Sequence, residues 1–148
     1  MLLAPLTLTL TLLGCNSDRP SLAKVSGRVT LDDKPLPKGT IIFEPTGQRS
    51  AVGRIEDGAI VELTTYDPGD GATLGHHSVA ISSTGEAAGG PAEVVHPGEA
   101  KKPSANYMSG TSLIPTRYND PATSGLSAEI EPGKNSVEFR LSSKLENR

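Results

Sequence analysis

The sequence predicts an all-β fold, a seven-stranded antiparallel β-sandwich carrying one long flexible insert between strands. Three observations predict it. From Val25 onward, apolar residues recur at every second position in short runs, the spacing that gives a strand one inward and one outward face. The runs are separated by turn-forming clusters that use many of the 16 Gly and 12 Pro, and no stretch carries a convincing amphipathic helical period. Hydrophobic residues make up 35% of the 148, with no Trp, two Phe and three Tyr, so the core must be small and built mostly of Val, Ile and Leu.

The chain opens on an apolar stretch, residues 1–13, without a single charge. It is shorter than the roughly 20 residues needed to span a bilayer as a helix, and fits the hydrophobic region of a secretory signal. "LLGC" follows, ending in Cys15, the only cysteine. This resembles the lipobox of bacterial lipoprotein signals. The resemblance implies a signal over residues 1–14, cleavage before Cys15, lipid on its sulfur and amine, and a polar tether over residues 15–24. Several acyl chains hold a protein firmly where one does not. Leu and Thr also alternate over residues 6–12, so a strand ending in an inert thiol is the competing reading.

The first strand spans residues 25–31, with Val25, Gly27, Val29 and Leu31 inward. "DDKPLPKG" is a turn-rich link to "TIIFE", where Ile41 and Phe43 share a face. "AVGRI" aligns Ala51, Gly53 and Ile55; the hairpin signal "EDG" leads to "AIVELT", expected to align Ala59, Val61 and Leu63. "HHSVAIS" aligns His77, Val79 and Ile81. Residues 83–112 have no periodicity and read as the flexible insert. "LSAEIE" aligns Leu126, Ala128 and Ile130, the turn "EPGKN" follows, and "SVEFRL" aligns Val137, Phe139 and Leu141. Short strands with one apolar face each must pack as two layers. The domain therefore covers residues 25–142, with a tail over 143–148.

Three stretches, "VSGRVTLDDKPLPKGTIIFEP", "ELTTYDPGDGATLGHHSVAI" and "IPTRYNDPATSGLSAEIEPGKNSVEFRL", together resemble the carboxypeptidase regulatory-like domain. They cover most of residues 25–141, and small bacterial lipoproteins of this type carry the same lipobox in front. The resemblance implies a transthyretin-like or immunoglobulin-like β-sandwich and no catalytic activity. The chain departs from the pattern at Asp33, where the turn usually has Gly, and at His77, where an aromatic residue usually stands in phase with the core.

The formal net charge is -3, with acids and bases interspersed, so nothing points to nucleic acid; a single Cys excludes a disulfide framework within the chain. Candidate binding loops are residues 66–75, with Tyr66, Asp67 and Asp70, and residues 117–125, with Arg117, Tyr118 and Asp120, expected to cluster at one end of the sandwich. Each has a plainer reading. Asp70 and Pro68 suit a rigid turn better than a calcium loop, which needs more oxygen ligands at regular spacing. Tyr118 suits a buried anchor with a polar tip, with Asp120, Thr123 and Ser124 pinning the turn. His76 and His77 point to opposite faces and cannot easily grip one ion; His76 with His96 from the insert, near Glu86, Glu93 or Glu99, is the loose metal alternative. No spacing selects a nucleophile with a base. The expected function is a lipid-anchored cell-envelope module with a structural or binding role, without catalysis or cofactor. Its partners would be the membrane, through the anchor, and an envelope protein or polysaccharide. Asn16 after the Cys, in place of Asp, leans towards the outer membrane. A periplasmic divalent-metal binder and an envelope-polymer hydrolase are the alternatives.

Overall fold

A computed structural model describes residues 19–85 and 110–144. Nine strands form one curled sheet: β1 (Leu22–Leu31), β2 (Lys34–Pro35), β3 (Lys38–Pro45), β4 (Ala51–Glu56), β5 (Ala59–Thr64), β6 (Ala72–Thr73), β7 (Gly75–Ser82), β8 (Leu126–Ile130) and β9 (Lys134–Leu141). All seven strands read from the periodicity are present; β2 and β6, of two residues each, are additions. The fold is all-β and sandwich-like, an antiparallel sheet curled into a half-barrel. Its pairing order is β9–β1–β5–β4–β3–β7–β8, with β2 and β6 also on β1.

One pair is parallel. β9 lies beside β1 in register from Lys24–Lys134 to Leu31–Leu141. The first and last long strands can run parallel because no short connection has to join them. β1 meets β5 at a single residue pair, Arg28–Ala59. The Phe43 ring of β3 meets Phe139 of β9 edge-on, with centroids 6.0 Å apart. These strands do not pair, so the contact crosses the interior and joins the two layers. Val29, Ile41, Phe43, Ile55, Val79, Ile81 and Ile130 fill the space between, nearly all fully buried.

Three expectations are corrected. On β5 the inward residues are Ile60 and Leu63, and Ala59 is exposed. A bulge explains the change of phase: Glu62 takes φ +51°, and the register slips opposite Val52–Arg54. Gly53 makes room, since a Cβ there would lie 3.0 Å from Leu63 Cδ1. β1 starts at Leu22, inside the stretch read as tether, because Leu22 and Ala23 pair with β6 and Ala23 is buried. The ends of the insert are a paired stem: Gly85 N donates to Thr111 O, Leu113 N donates to Ser83 O, and Thr84 bridges Ser112. Residues 86–109 lie outside the described residues. The tail is pinned at Ser143, whose N–H donates to Asp32 Oδ1 at 3.0 Å.

The turns follow their residues. Asp32 and Asp33 sit at φ +47° and +64° between β1 and β2, so Asp33 adopts the conformation for which Gly is the usual choice. Asp57 and Gly58 do the same between β4 and β5, at +47° and +80°. Among the described residues no helix is long and apolar enough to cross a membrane.

Candidate functional site

The loop from Tyr66 to Gly71 closes on one carboxylate. Asp70 Oδ1 accepts from Thr65 N at 2.7 Å, and Oδ2 accepts from Tyr66 N and Asp67 N, both at 2.9 Å. Burial alone pushes the Asp70 carboxyl up, but the backbone N–H groups of Thr65, Asp67 and Tyr66 outweigh it and hold the carboxyl below the usual aspartate range. Thr64 Oγ1 accepts from Gly69 N, and the buried Thr65 hydroxyl donates to Gly71 O. Gly71, at φ +102°, lies hard against β1, where a Cβ would fall 2.0 Å from Ala23 O. Asp70 is thus the hub of a rigid turn.

On the outside of this turn, Tyr66 draws two cations. The guanidinium carbons of Arg19 and Arg49 lie 5.1 and 5.5 Å from its ring centroid. Arg19 Nη1 also donates to Asp67 Oδ2 at 2.7 Å. Arg49 makes no ion pair with a described residue. Arg19, Pro20, Gly47, Gln48, Arg49 and Tyr66 line an open groove at the start of β1. Arg19 and Arg49 had no signal in the sequence, since only the folded topology brings the pre-strand segment and the β3–β4 turn to Tyr66.

Residues 117–125 fold into two short turns, a 3₁₀ turn (Thr116–Asn119) and a one-turn helix α1 (Pro121–Ser124). Asp120 Oδ1 accepts from Ala122 N at 2.8 Å, Pro121 takes the first helical position, and Gly125 leaves at φ +67°. Ser124 is buried, and its hydroxyl donates to Val79 O, tying α1 to β7. Tyr118 is buried in the core, and its hydroxyl accepts from Ser142 N at 3.0 Å and from Arg117 Nη2 at 2.9 Å. Arg117 Nη2 donates further to Ser142 O and Lys144 O. The Tyr118 hydroxyl, Arg117 Nη2 and the Asp120 carboxylate are therefore engaged by the chain itself, while Arg117 Nη1 is buried without a partner among the described residues; Arg117 and Tyr118 anchor the end of β9, and Asp120 caps α1.

The two candidate loops do not form one cluster. Lys24 Nζ donates to Gly69 O at the start of β1, whereas Tyr118 reaches Ser142 just beyond Leu141, the partner of Leu31 at the end of β1. Seven strand steps separate these points, about 23 Å. Pro121 and Ala122 approach the first end, lining a shallow groove with Pro45, Gly47 and Ser78. The expectation fails because β8 and β9 run back along the sheet and carry the Tyr118 contact to the far end.

His77 is fully buried, edge-on to Phe43, with Nε2 2.7 Å from Thr73 O and Nδ1 unpartnered. A carbonyl oxygen only accepts, so His77 Nε2 is the donor in this contact. His76 points outward, with Nδ1 3.4 Å from Glu129 Oε2 on the paired strand. Among the described residues no group of three or more His, Cys, Asp or Glu is placed to hold a metal ion. His96, Glu86, Glu93, Glu99 and Cys15 lie outside the described residues. No family model matches the chain, and neither the curated proteins nor the solved structures contain a significant match to it.

Proposed function

We propose that the chain is a lipid-anchored β-domain of the bacterial cell envelope, related to the carboxypeptidase regulatory-like domains, with a structural or binding role and no catalysis. One observation carries the reading: the lone Cys15 stands directly behind a small residue and an uncharged Leu-rich run. The position of the first strand supports it. β1 starts seven residues after Cys15, and the core residues fall between Ala23 and Leu141. The motif thus precedes the first strand in sequence, which is compatible with a lipidated end ahead of the domain. In this reading the tether spans at most about 25 Å. The start of β1 and the loop at Tyr66 then face the bilayer, while the stem at Ser83–Leu113 points away from it, towards the periplasm or the cell exterior. The outer membrane is the proposed address.

Metabolic labelling tests this. Wild-type protein expressed in a bacterium with a lipoprotein pathway incorporates labelled fatty acid, and Cys15→Ser does not. Unlabelled wild-type protein, or equal label in both, would overturn the reading.

A further inference from the structure

We infer that the Arg19–Tyr66–Arg49 groove seats the phosphate of an anionic phospholipid headgroup, so that the domain rests on the membrane as well as hanging from it. This rests on the proposed anchoring at Cys15, which confines the groove. Arg19 follows Cys15 by four residues, a reach of at most about 14 Å. That distance holds Arg19 at headgroup depth beside an acylated Cys15, and Arg19 is itself held to Tyr66 and Asp67.

The groove has the chemistry for a phosphate. A guanidinium offers five donors in a planar fork, and Arg matches phosphate oxygens bidentately. Arg19 spends one nitrogen on Asp67 and keeps the others. Arg49, two residues after Gly47 (φ +71°), makes no ion pair with a described residue. The Tyr66 ring holds both guanidiniums in place by cation–π attraction, and a tyrosine with one apolar and one polar end suits a membrane interface. Nearby charges are mixed: Lys24 and Lys134 pair across β1 and β9, and Asp67 and Asp70 are engaged by Arg19 and by backbone N–H groups. Binding is therefore carried by the groove and not by a uniformly basic face.

The test uses the polypeptide from residue 16 onward, which lacks lipid and signal yet keeps every core residue. Cosedimentation is measured with vesicles of phosphatidylethanolamine mixed with phosphatidylglycerol, and with phosphatidylcholine vesicles. Binding to the anionic vesicles is expected. Arg49→Gln weakens it about fivefold, the worth of one basic residue at an anionic surface. Arg19→Gln does at least as much. Arg28→Gln, on the exposed outer face of β1, removes the same charge and changes nothing. Equal losses in Arg28→Gln and Arg49→Gln would overturn the inference by reducing it to net charge. So would absence of vesicle binding, or capture of inorganic phosphate without vesicle binding, which would mark a site for free phosphate. Because this polypeptide has no Cys15, its result is independent of the fatty-acid labelling. A labelled protein whose groove ignores vesicles refutes this inference alone, and vesicle binding with an unlabelled Cys15 refutes the anchor alone.

Discussion

Replacing Asp70 tests the rigid turn beneath the groove. Its carboxylate takes three backbone N–H groups, from Thr65, Tyr66 and Asp67. Asp70→Ala leaves all three without their acceptor. Thr65 is 2% exposed, so its N–H finds no ready water and costs about 1–3 kcal/mol. Tyr66 and Asp67 are more open, and water replaces most of what they lose. The total is about 2–4 kcal/mol, a fall in urea midpoint of about 1–2 M. Asp70→Asn keeps one oxygen for Thr65 and loses the other, so its loss is about half as large. The carboxyl is held below its usual range in the folded state. The folded protein thus binds fewer protons than the unfolded chain. The contribution is complete above the unfolded value, near pH 4, and disappears as pH falls through the lower folded value. Urea melts at pH 7 and through the acid range therefore show wild type losing a component on acidification that Asp70→Asn lacks. An Asp70→Ala midpoint equal to wild type at pH 7 would refute the hub.

Two further substitutions have definite expected outcomes. Gly71→Ala must place a Cβ 2.0 Å from Ala23 O at φ +102°; the strain and forced shift cost about 3 kcal/mol, read as a lowered urea midpoint, and an unchanged midpoint would mean that the loop does not press on β1. Tyr118→Phe removes the acceptor for Ser142 N and Arg117 Nη2 and costs about 1–2 kcal/mol, with hydrogen exchange accelerated at Ser142 while the β3–β4 amides stay protected.

The strands were legible in the sequence because each follows a period of two over several residues, as in Ile41–Phe43 and Val79–Ile81. β5 was misphased because its bulge depends on Glu62 adopting positive φ opposite Gly53, a choice made by the partner strand and not by β5 alone. The anchoring role weighed for Tyr118 was open to inference from a chain poor in aromatics. The capping pattern of Asp120, Pro121 and Gly125 was also on the page, but one helical turn is too short to show a period. The candidate site was legible only in Tyr66, Asp67 and Asp70. Its two arginines come from segments 30 residues apart in sequence, joined solely by the fold. The placement of the two candidate loops failed for the same reason: strand order and direction decide which loops share an end, and periodicity encodes neither.

The anchored β-domain is tested most directly by the intact mass of the protein isolated from its native host. The account predicts a chain beginning at Cys15 and heavier than the polypeptide by an acylated glyceride; a chain that retains residues 1–14 with an unmodified thiol would contradict it.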